Sequence, residues 1–345
     1  RAMGGAFWAV SDDASAGSWN PAGLVQLDKI QTSFSFLSTG LDNKYSSDRF
    51  SSFSFEKTKA LINYGSFVVP FRLYGRNFVG SIVYNQSANI KDDYKIRTDA
   101  RGHFFTYAVD GGLNSVGLSL GGKIISGLSL GVNVNIYGGS FIHNKTQEFA
   151  KFGTPPDDTT IYAHPSNKAT FSGANPSIGL LIQKKKLKLA ALGKLPFTLK
   201  ETDDVQWLFD FTVRGVTNPY GDIGFLYKTE RKWKIPGSWG LGAAYTIGEN
   251  LLVAADLETR YPGHVKFSYQ VDALNPVSPF IEDEVKNGVL TIQQILESYD
   301  PTYKKKELKG HTNQIRLGFE YTLNTKEGKF PLRFGYRHQP ETFIP

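Results

Sequence analysis

The chain has no cysteine and only one methionine among its 345 residues. Without thiols, a disulfide framework, a cysteine-ligated zinc site and a thiol nucleophile are all excluded. This rules out the class of small secreted scaffolds held by disulfides, and it leaves both membrane and cytoplasmic proteins open.

Long apolar runs are also missing. No stretch of about 18 consecutive apolar residues occurs, so no transmembrane helix is expected. The mean hydropathy is slightly negative, at −0.28. A transmembrane β-barrel remains compatible with this value, because only every second residue of its strands faces lipid.

The sequence carries no convincing catalytic motif. Its six histidines are scattered and form no zinc-binding pair. Ser119 and Ser129 each lie in a Gly-x-Ser-x-Gly string, but that motif needs a helix after the serine, and both strings lie within alternating segments. The stretch from Gly117 to Lys123 lacks the Ser or Thr that a phosphate loop requires next. We predict a protein that is not an enzyme and that uses neither a cofactor nor a metal.

Acidic residues are fewer than basic ones, which gives a formal net charge of +7. Such a charge can indicate nucleic-acid binding. Here, however, most lysines fall in stretches typical of turns and loops, and neither a basic helix nor an RNA-binding motif accompanies them. We predict no nucleic-acid partner.

The dominant pattern is the alternation of apolar and polar residues after residue 28, most clearly at 128–136, 251–261 and 314–323. A soluble β-sandwich would alternate in the same way. Here many apolar faces carry aromatic residues near strand ends, and the opposite faces carry charges of both signs, which is typical of an outer-membrane barrel with a wet lumen. We predict that the lumen charges pair with one another. These charges are Asp256, Glu258, Arg260, Arg316, Glu320, Arg333 and Arg337.

Short and long connections alternate along the chain. Short turns are expected near residues 74–76, 125–127, 184–186, 248–250 and 324–328, and long polar excursions at 38–50, 91–113, 143–168, 202–235 and 262–310. This arrangement places every short turn on one rim, as in outer-membrane barrels. About eleven strands are predicted between these connections: 29–37, 51–71, 77–90, 114–124, 128–142, 169–183, 187–201, 236–247, 251–261, 311–323 and 330–338.

The N-terminal segment, residues 1–28, does not alternate and is rich in Ala, Gly and Ser. Within it, Trp19, Asn20, Pro21, Ala22 and Gly23 form a turn-like string, because proline fixes φ and biases the preceding residue away from the helical region. One interpretation is a flexible arm with a chance Asn-Pro turn.

A second interpretation comes from residue order. The string from Gly4-Gly5-Ala6-Phe7 through Trp19-Asn20-Pro21-Ala22-Gly23-Leu24, placed directly before the first strand, resembles the N-terminal hatch of the FadL-like family of outer-membrane long-chain fatty-acid and toluene transporters. Looser similarity continues at 195–200 and 236–245. Residues 202–235 depart from the family, since this excursion is longer and more aromatic than expected.

The resemblance implies an all-β fold, a transmembrane antiparallel β-barrel with an N-terminal hatch plugging the lumen. Residues 1–28 would be the hatch and 29–345 the barrel, with long extracellular loops at 202–235 and 262–310. The family closes with fourteen strands, and bacterial single-chain barrels have even strand counts. We therefore expect the closing C-terminal strands to be missing from this sequence.

The resemblance also implies a function. The protein would be an outer-membrane transporter of a diderm bacterium that passes hydrophobic small molecules, such as long-chain fatty acids or hydrocarbons, by passive, hatch-gated diffusion. The candidate residues for the hatch side of the ligand pocket are Phe7, Trp8, Leu24 and Val25. The alternative is a structural barrel of the kind found in PorV-like relatives, which serve protein export by presenting the extracellular loops to a protein partner.

The long excursion at 262–310 contains the one helical pattern of the barrel region, from Ile281 to Tyr299, with apolar residues at three- and four-residue steps. It is interpreted either as a lid over the barrel mouth or as a capture site for incoming ligand. Outer-membrane lipids and lipopolysaccharide are expected partners, and Lys304, Lys305 and Lys306 are either a lipopolysaccharide contact or a solvated charge run.

Overall fold

A computed structural model describes residues 3–45, 53–97, 104–152, 159–213, 216–217, 223–276, 310–326 and 328–340. The predicted helix at 281–299 and the lysine run at 304–306 lie outside the described residues. No helix in the described part of the chain is long and apolar enough to cross a membrane.

The described chain is almost entirely β-structure. A short α-helix, α1, covers Ala16–Trp19, and 3₁₀ turns cover Pro21–Gln26 and Pro262–His264. The strands are β1 (Gln31–Tyr45), β2 (Phe53–Leu73), β3 (Arg76–Arg97), β4 (Phe104–Ile125), β5 (Leu128–Phe152), β6 (Thr159–Lys184), β7 (Leu187–Lys194), β8 (Phe197–Val213), β9 (Val216–Thr217), β10 (Ile223–Ile235), β11 (Ser238–Ile247), β12 (Leu251–Arg260), β13 (Lys266–Pro276), β14 (Thr312–Thr325) and β15 (Gly328–His338).

These strands form one antiparallel sheet. Its main path runs β1-β2-β3-β4-β5-β6-β7-β11-β12-β14-β15. A branch leaves this path at β6, where β8 pairs with β6, β10 with β8 and β13 with β10, and the short β9 pairs with β8. Three passages are interrupted by bends, between β7 and β8, between β10 and β11, and between β12 and β13. Proline at 196, 236 and 262 explains these breaks, because proline has no N–H to donate to a ladder. When each interrupted pair is joined, the passages match the predicted strands.

Most of the segments predicted to be long loops are strands in the structure, so that prediction is wrong. The strands on that rim continue far beyond their predicted ends, so that 91–97, 104–113, 143–152 and 159–168 are strand. The expected excursion at 202–235 is largely β8, β9 and β10, and 266–276 is β13. Polar residues on both faces hid these extensions, since strands that rise beyond the apolar belt into water need no apolar face.

The sheet is apolar outside and polar inside. In β14, Gln314 and Arg316 are 3% and 4% exposed, whereas Ile315 and Leu317 are 44% and 37% exposed. A soluble sandwich would show the reverse pattern. The same alternation along β11, with buried and exposed residues in turn, identifies the outer face as the surface that meets lipid.

The sheet curls around the N-terminal segment into a barrel. The segment touches β4 at Gly121, β6 at Gly179, β11 at Gly240 and β15 at Gly335. One short segment can meet strands spread along the whole path only if the sheet closes round it. Among the described residues no backbone ladder joins β1 to β15, although Ser33 of β1 and Arg337 of β15 line one cavity.

Candidate functional site

The N-terminal segment rests directly on the inner wall. A Cβ atom at Gly131 of β5 would lie 2.2 Å from the Ala22 nitrogen, and one at Gly179 of β6 would lie 2.0 Å from Asn20 Oδ1. Real Cβ atoms do not approach other atoms this closely, so only glycine lets the backbone come down onto the strand. These contacts explain two of the many glycines in the strands.

Asn20 is fully buried and makes hydrogen bonds that hold the N-terminal segment against the barrel wall. Its amide nitrogen donates to the carbonyl oxygens of Trp8, at 3.0 Å, and of Leu180 in the wall, at 3.1 Å. Its Oδ1 accepts from the Ala22 amide at 3.1 Å, which caps the 3₁₀ turn begun by Pro21. The turn predicted at 20–23 is therefore the start of a 3₁₀ helix, held to both the segment and the barrel.

A second fastening comes from β12. The Asp256 carboxylate accepts from the backbone amides of Phe7, at 2.8 Å, and Trp8, at 3.1 Å. The Arg316 guanidinium lies 5.1 Å from the Trp8 ring, within cation–π distance. The wall charges thus bind the segment through its backbone and its largest side chain.

Glu258 is the centre of a buried charge network. It is 1% exposed and lies 2.9 Å from Arg260 Nε and 3.6 Å from Lys194 Nζ. Arg316 donates to both Glu258 and Gln314. The predicted pairing of lumen charges is confirmed for Asp256, Glu258, Arg260 and Arg316, and Arg333 pairs with Glu320 separately at 2.6 Å. For Arg337, which donates to Gln339, it stays a prediction.

Above the segment lies a cavity of about 500 Å³, within the range of about 300–1,000 Å³ typical of small-molecule sites. Trp19 and Ser18 form its floor. Its apolar lining consists of Trp19, Val83, Tyr137, Leu192, Phe197, Ile235, Pro236, Tyr261, Pro262 and Val265. Its polar lining consists of Ser18, Asn85, Ser115, Asn135, Asn175, Ser177, Lys194, Ser238, Glu258 and Arg260.

A second cavity of about 490 Å³ lies beside the first, between the segment and strands β1, β2, β14 and β15. The two cavities share Trp19, Lys194, Glu258 and Arg260 among their lining residues. The second is more polar, with Arg316 and Arg337 on its wall. The charge network therefore stands between two chambers.

The first cavity lies against the interrupted part of the wall. The β7–β11 ladder ends at Lys194–Ser238, and the β8–β10 ladder ends at Phe197–Ile235. Next to it, β11–β12 ends at Trp239–Thr259 and β10–β13 at Lys234–Lys266. Residues 235–238 and 260–265 between these ends supply much of the cavity lining, so the chamber meets the wall where its ladders stop.

The predicted pocket residues lie in several environments. Trp8 is 3% exposed and lines only the second cavity. Leu24 is fully buried against the wall near Gly121, and Phe7 packs edge-on against Trp19 with ring centroids 6.0 Å apart. Phe7, Leu24 and Val25 line neither of these two cavities. Their role in ligand binding stays a prediction.

The sequence places Trp19 in the turn-like string and carries no signal that it lines both cavities. The sequence predicts that Tyr137 and Phe197 lie in strands and that Ile235 ends the long excursion 202–235, and it carries no signal that the three share a chamber. Tyr137 and Phe197 stack at 5.5 Å across the intervening β6 strand. The alternation along a strand shows which of its residues point into the barrel. It does not show which residues of distant strands lie at the same height, because that depends on the register between strands.

Neither Gly-x-Ser-x-Gly serine is followed by a helix. Ser119 and Ser129 lie within β4 and β5, and the Ser119 hydroxyl donates to Asn133 Oδ1 at 2.9 Å. Among the described residues, no three His, Cys, Asp or Glu side chains are grouped so that they could hold a metal ion.

Replacing Asn20 by Ala should loosen the N-terminal segment. The change removes the hydrogen bonds to the Trp8 and Leu180 carbonyls and from the Ala22 amide, and a buried polar group that loses its partner costs about 1–3 kcal/mol. We expect a loss of about 3 kcal/mol in the free energy of unfolding, measured by urea titration in liposomes. Ser18→Ala, which changes an exposed side chain of the same segment, should lose less than about 0.5 kcal/mol. If both variants lose the same free energy of unfolding, Asn20 does not hold the segment to the wall as described.

Comparison with solved structures shows the same fold. The toluene transporter TodX of Pseudomonas putida is 14% identical, with a TM-score of 0.52 over 98% of this chain and 82% of that chain. The toluene transporter TbuX of Ralstonia pickettii is 14% identical, with a TM-score of 0.54 over 99% of this chain and 86% of that chain. At these identities the likeness shows the fold alone, and it confirms the predicted antiparallel β-barrel.

A search of the curated proteins gave no match. The family model described as BamG matches residues 1–276 of the 345. The chain therefore belongs to the BamG family.

Proposed function

We propose that the protein lies in the outer membrane of a diderm bacterium and passes hydrophobic small molecules by passive diffusion, with the N-terminal segment as the hatch. One observation carries the proposal: a chamber of about 500 Å³ stands between that segment and an interruption of the barrel wall. The outward apolar face supports the membrane location, and the names of the neighbours TodX and TbuX agree with transport of this kind.

The lining of the chamber fits an amphipathic ligand. Its wall carries apolar side chains, including Tyr137, Phe197 and Ile235, and it also carries the cations Lys194 and Arg260. A fatty-acid chain would pack on the apolar side chains, and its carboxylate would meet the cations. Lys194 and Arg260 both pair with Glu258, so a carboxylate would compete with that residue for them.

The route uses the two features that border the chamber. A ligand would enter from the lipid or the outer medium, where the wall ladders stop at 235–238 and 260–265. It would leave toward the periplasm when the N-terminal segment moves away from the inner wall of the barrel. Asn20 and Asp256 fasten that segment, so they set the free energy of opening.

A residue that fills the chamber should abolish binding. Ser115 of β4 lines the chamber and is 5% exposed. We expect Ser115→Phe to weaken saturable binding of oleate to the purified full chain at least tenfold, measured by isothermal titration in detergent. Methyl oleate, tested alongside, should bind the parent more weakly than oleate if the cations hold the carboxylate.

Ser172→Phe is the matched control, because Ser172 is exposed on β6, on the outward face, and it should bind like the parent. If the parent shows no saturable binding of oleate or of toluene, or if Ser115→Phe binds both unchanged, the proposal is wrong. Trp8→Ala is unsuitable for this test, since Trp8 is buried against Arg316 and its loss would disturb the segment itself.

A second candidate function is a docking barrel that holds a protein partner at the extracellular rim. The observation that favours it is the extension of the sheet by β8, β10 and β13 beyond the main path. A stoichiometric protein recovered with the barrel from native envelopes, and released when this extension is altered, would favour docking. Bound lipid in a monomeric barrel would favour transport.

A further inference from the structure

Four lysines stand together on the outer face of the sheet extension. Lys200 of β8, Lys232 and Lys234 of β10, and Lys266 of β13 are all exposed. Their strand neighbours Glu201, Thr229 and Arg231 are buried or half-buried on the inner face. We call these four residues the lysine patch.

The strand register places these lysines in directly opposed pairs. Lys232 lies opposite Lys200 in the β8–β10 ladder, and Lys234 lies opposite Lys266 in the β10–β13 ladder. Like charges directly opposite each other on one face destabilise a sheet. Two such pairs side by side indicate that the surface is built to meet a negative group.

Within the described residues, a single carboxylate offsets part of the charge of one of the two lysine pairs. Glu230 lies 2.8 Å from Lys232 Nζ and also pairs with Lys200. These two ammonium groups, with Lys200 first, hold the pKa of Glu230 below its ordinary value, so it stays ionised. Within the part of the chain that the structure describes, Lys234 and Lys266 have no carboxylate partner.

The lysine patch begins where the apolar belt ends. Trp239, 46% exposed on the outer face, donates its indole N–H to Tyr261 Oη at 2.9 Å. Aromatic side chains with a polar tip collect at the interface between lipid and water. Lys234 and Lys266 form the last ladder pair before this aromatic pair, so their ammonium groups lie at headgroup level on the rim opposite the short turns.

We propose that the lysine patch binds the phosphate groups of lipopolysaccharide in the outer leaflet. Lysine ammonium groups act as point charges for phosphate, and a glycolipid with more than one phosphate can engage both lysine pairs at once. Its acyl chains would lie along the apolar outer face below, at Trp239 and Leu241. The inference rests on the outer-membrane location in the proposed function.

The test uses the full chain in detergent, with bisphosphorylated lipid A as the probe. The double variant Lys234→Gln/Lys266→Gln should bind it at least tenfold more weakly than the parent. The parent should lose a similar factor when the probe is dephosphorylated lipid A. The control Lys184→Gln/Lys185→Gln changes exposed lysines of the β6–β7 turn on the opposite rim and should bind like the parent.

A second measurement separates recognition from folding. Because the opposed lysines repel each other, the Lys234→Gln/Lys266→Gln variant should melt at a higher temperature than the parent when no lipid A is present. Unchanged lipid A affinity in this variant overturns the proposal. So does equally tight binding of the parent to phosphatidylglycerol vesicles, which would point to a general anionic headgroup. Oleate binding should be the same in the variant as in the parent. If the parent itself does not bind oleate, that result counts against the proposed transport and not against the lipid A site.

Discussion

Replacing Glu258 by Ala should destabilise the barrel by about 3 kcal/mol or more, because removal of one partner leaves buried charges uncompensated. Three cations meet at this carboxylate, namely Lys194, Arg260 and Arg316. Arg316 is almost fully buried, whereas the side chains of Lys194 and Arg260 are 37% and 43% exposed. Water screens the latter two, so Arg316 should account for most of the loss.

The measurement is urea-induced unfolding in liposomes, followed by tryptophan fluorescence. Glu249→Ala is the control, since Glu249 is exposed in the β11–β12 turn. It should change the free energy of unfolding by less than about 0.5 kcal/mol. A Glu258→Ala barrel as stable as the Glu249→Ala barrel would mean that the network does not hold the lumen together.

The second large effect is expected from adding one methyl group at Gly131. A Cβ there would overlap backbone atoms of Pro21 and Ala22 at 2.2 Å, and backbone cannot move aside as the end of a side chain can. Overpacking costs about 1–3 kcal/mol and sometimes more, so we expect Gly131→Ala to lose about 3 kcal/mol. The N-terminal segment should also become open to protease while the strands stay folded.

Gly138 on the same strand is a matched control, because a Cβ at that position meets no atom within 4 Å. Gly138→Ala should keep both the stability and the protease resistance of the parent. If the two alanine variants behave alike, the segment does not rest on β5 in the way described.

Much of the barrel could be predicted from sequence because alternation reports which face of a strand meets lipid. The β14 pattern, with Ile315 and Leu317 against Gln314 and Arg316, gave both the strand and the direction of its faces. Turn chemistry also located the hairpins. Strand ends could not be predicted where both faces are polar, as in β8 at Thr202 and Asp203, because such a stretch has the composition of a loop.

The candidate site was harder to predict than the fold. Local chemistry showed that Asn20 and Pro21 make a turn, but the contact of Asn20 with Leu180 spans 160 residues. The chamber also depends on contacts between residues far apart in sequence, since Trp19, Tyr137 and Ile235 come from three separate parts of the chain. Phe7, Trp8, Leu24 and Val25 are predicted to lie on the hatch side of the ligand pocket, and this stays a prediction. Trp8 and Leu24 are buried, Trp8 beside Arg316 and Leu24 near Gly121.

The central claim, that the N-terminal segment gates passage, can be tested by locking the segment to the wall. A Cβ at Gly17 would lie 2.3 Å from Ser81 Oγ, so Gly17→Cys/Ser81→Cys places two thiols within disulfide reach. The chain has no other cysteine, and the reduced form of the same variant serves as its control. The measurement is the initial rate of labelled oleate uptake by cells without another fatty-acid transporter. We predict that the oxidised barrel takes up oleate at least tenfold more slowly than the reduced one, and equal rates in the two forms would contradict the account.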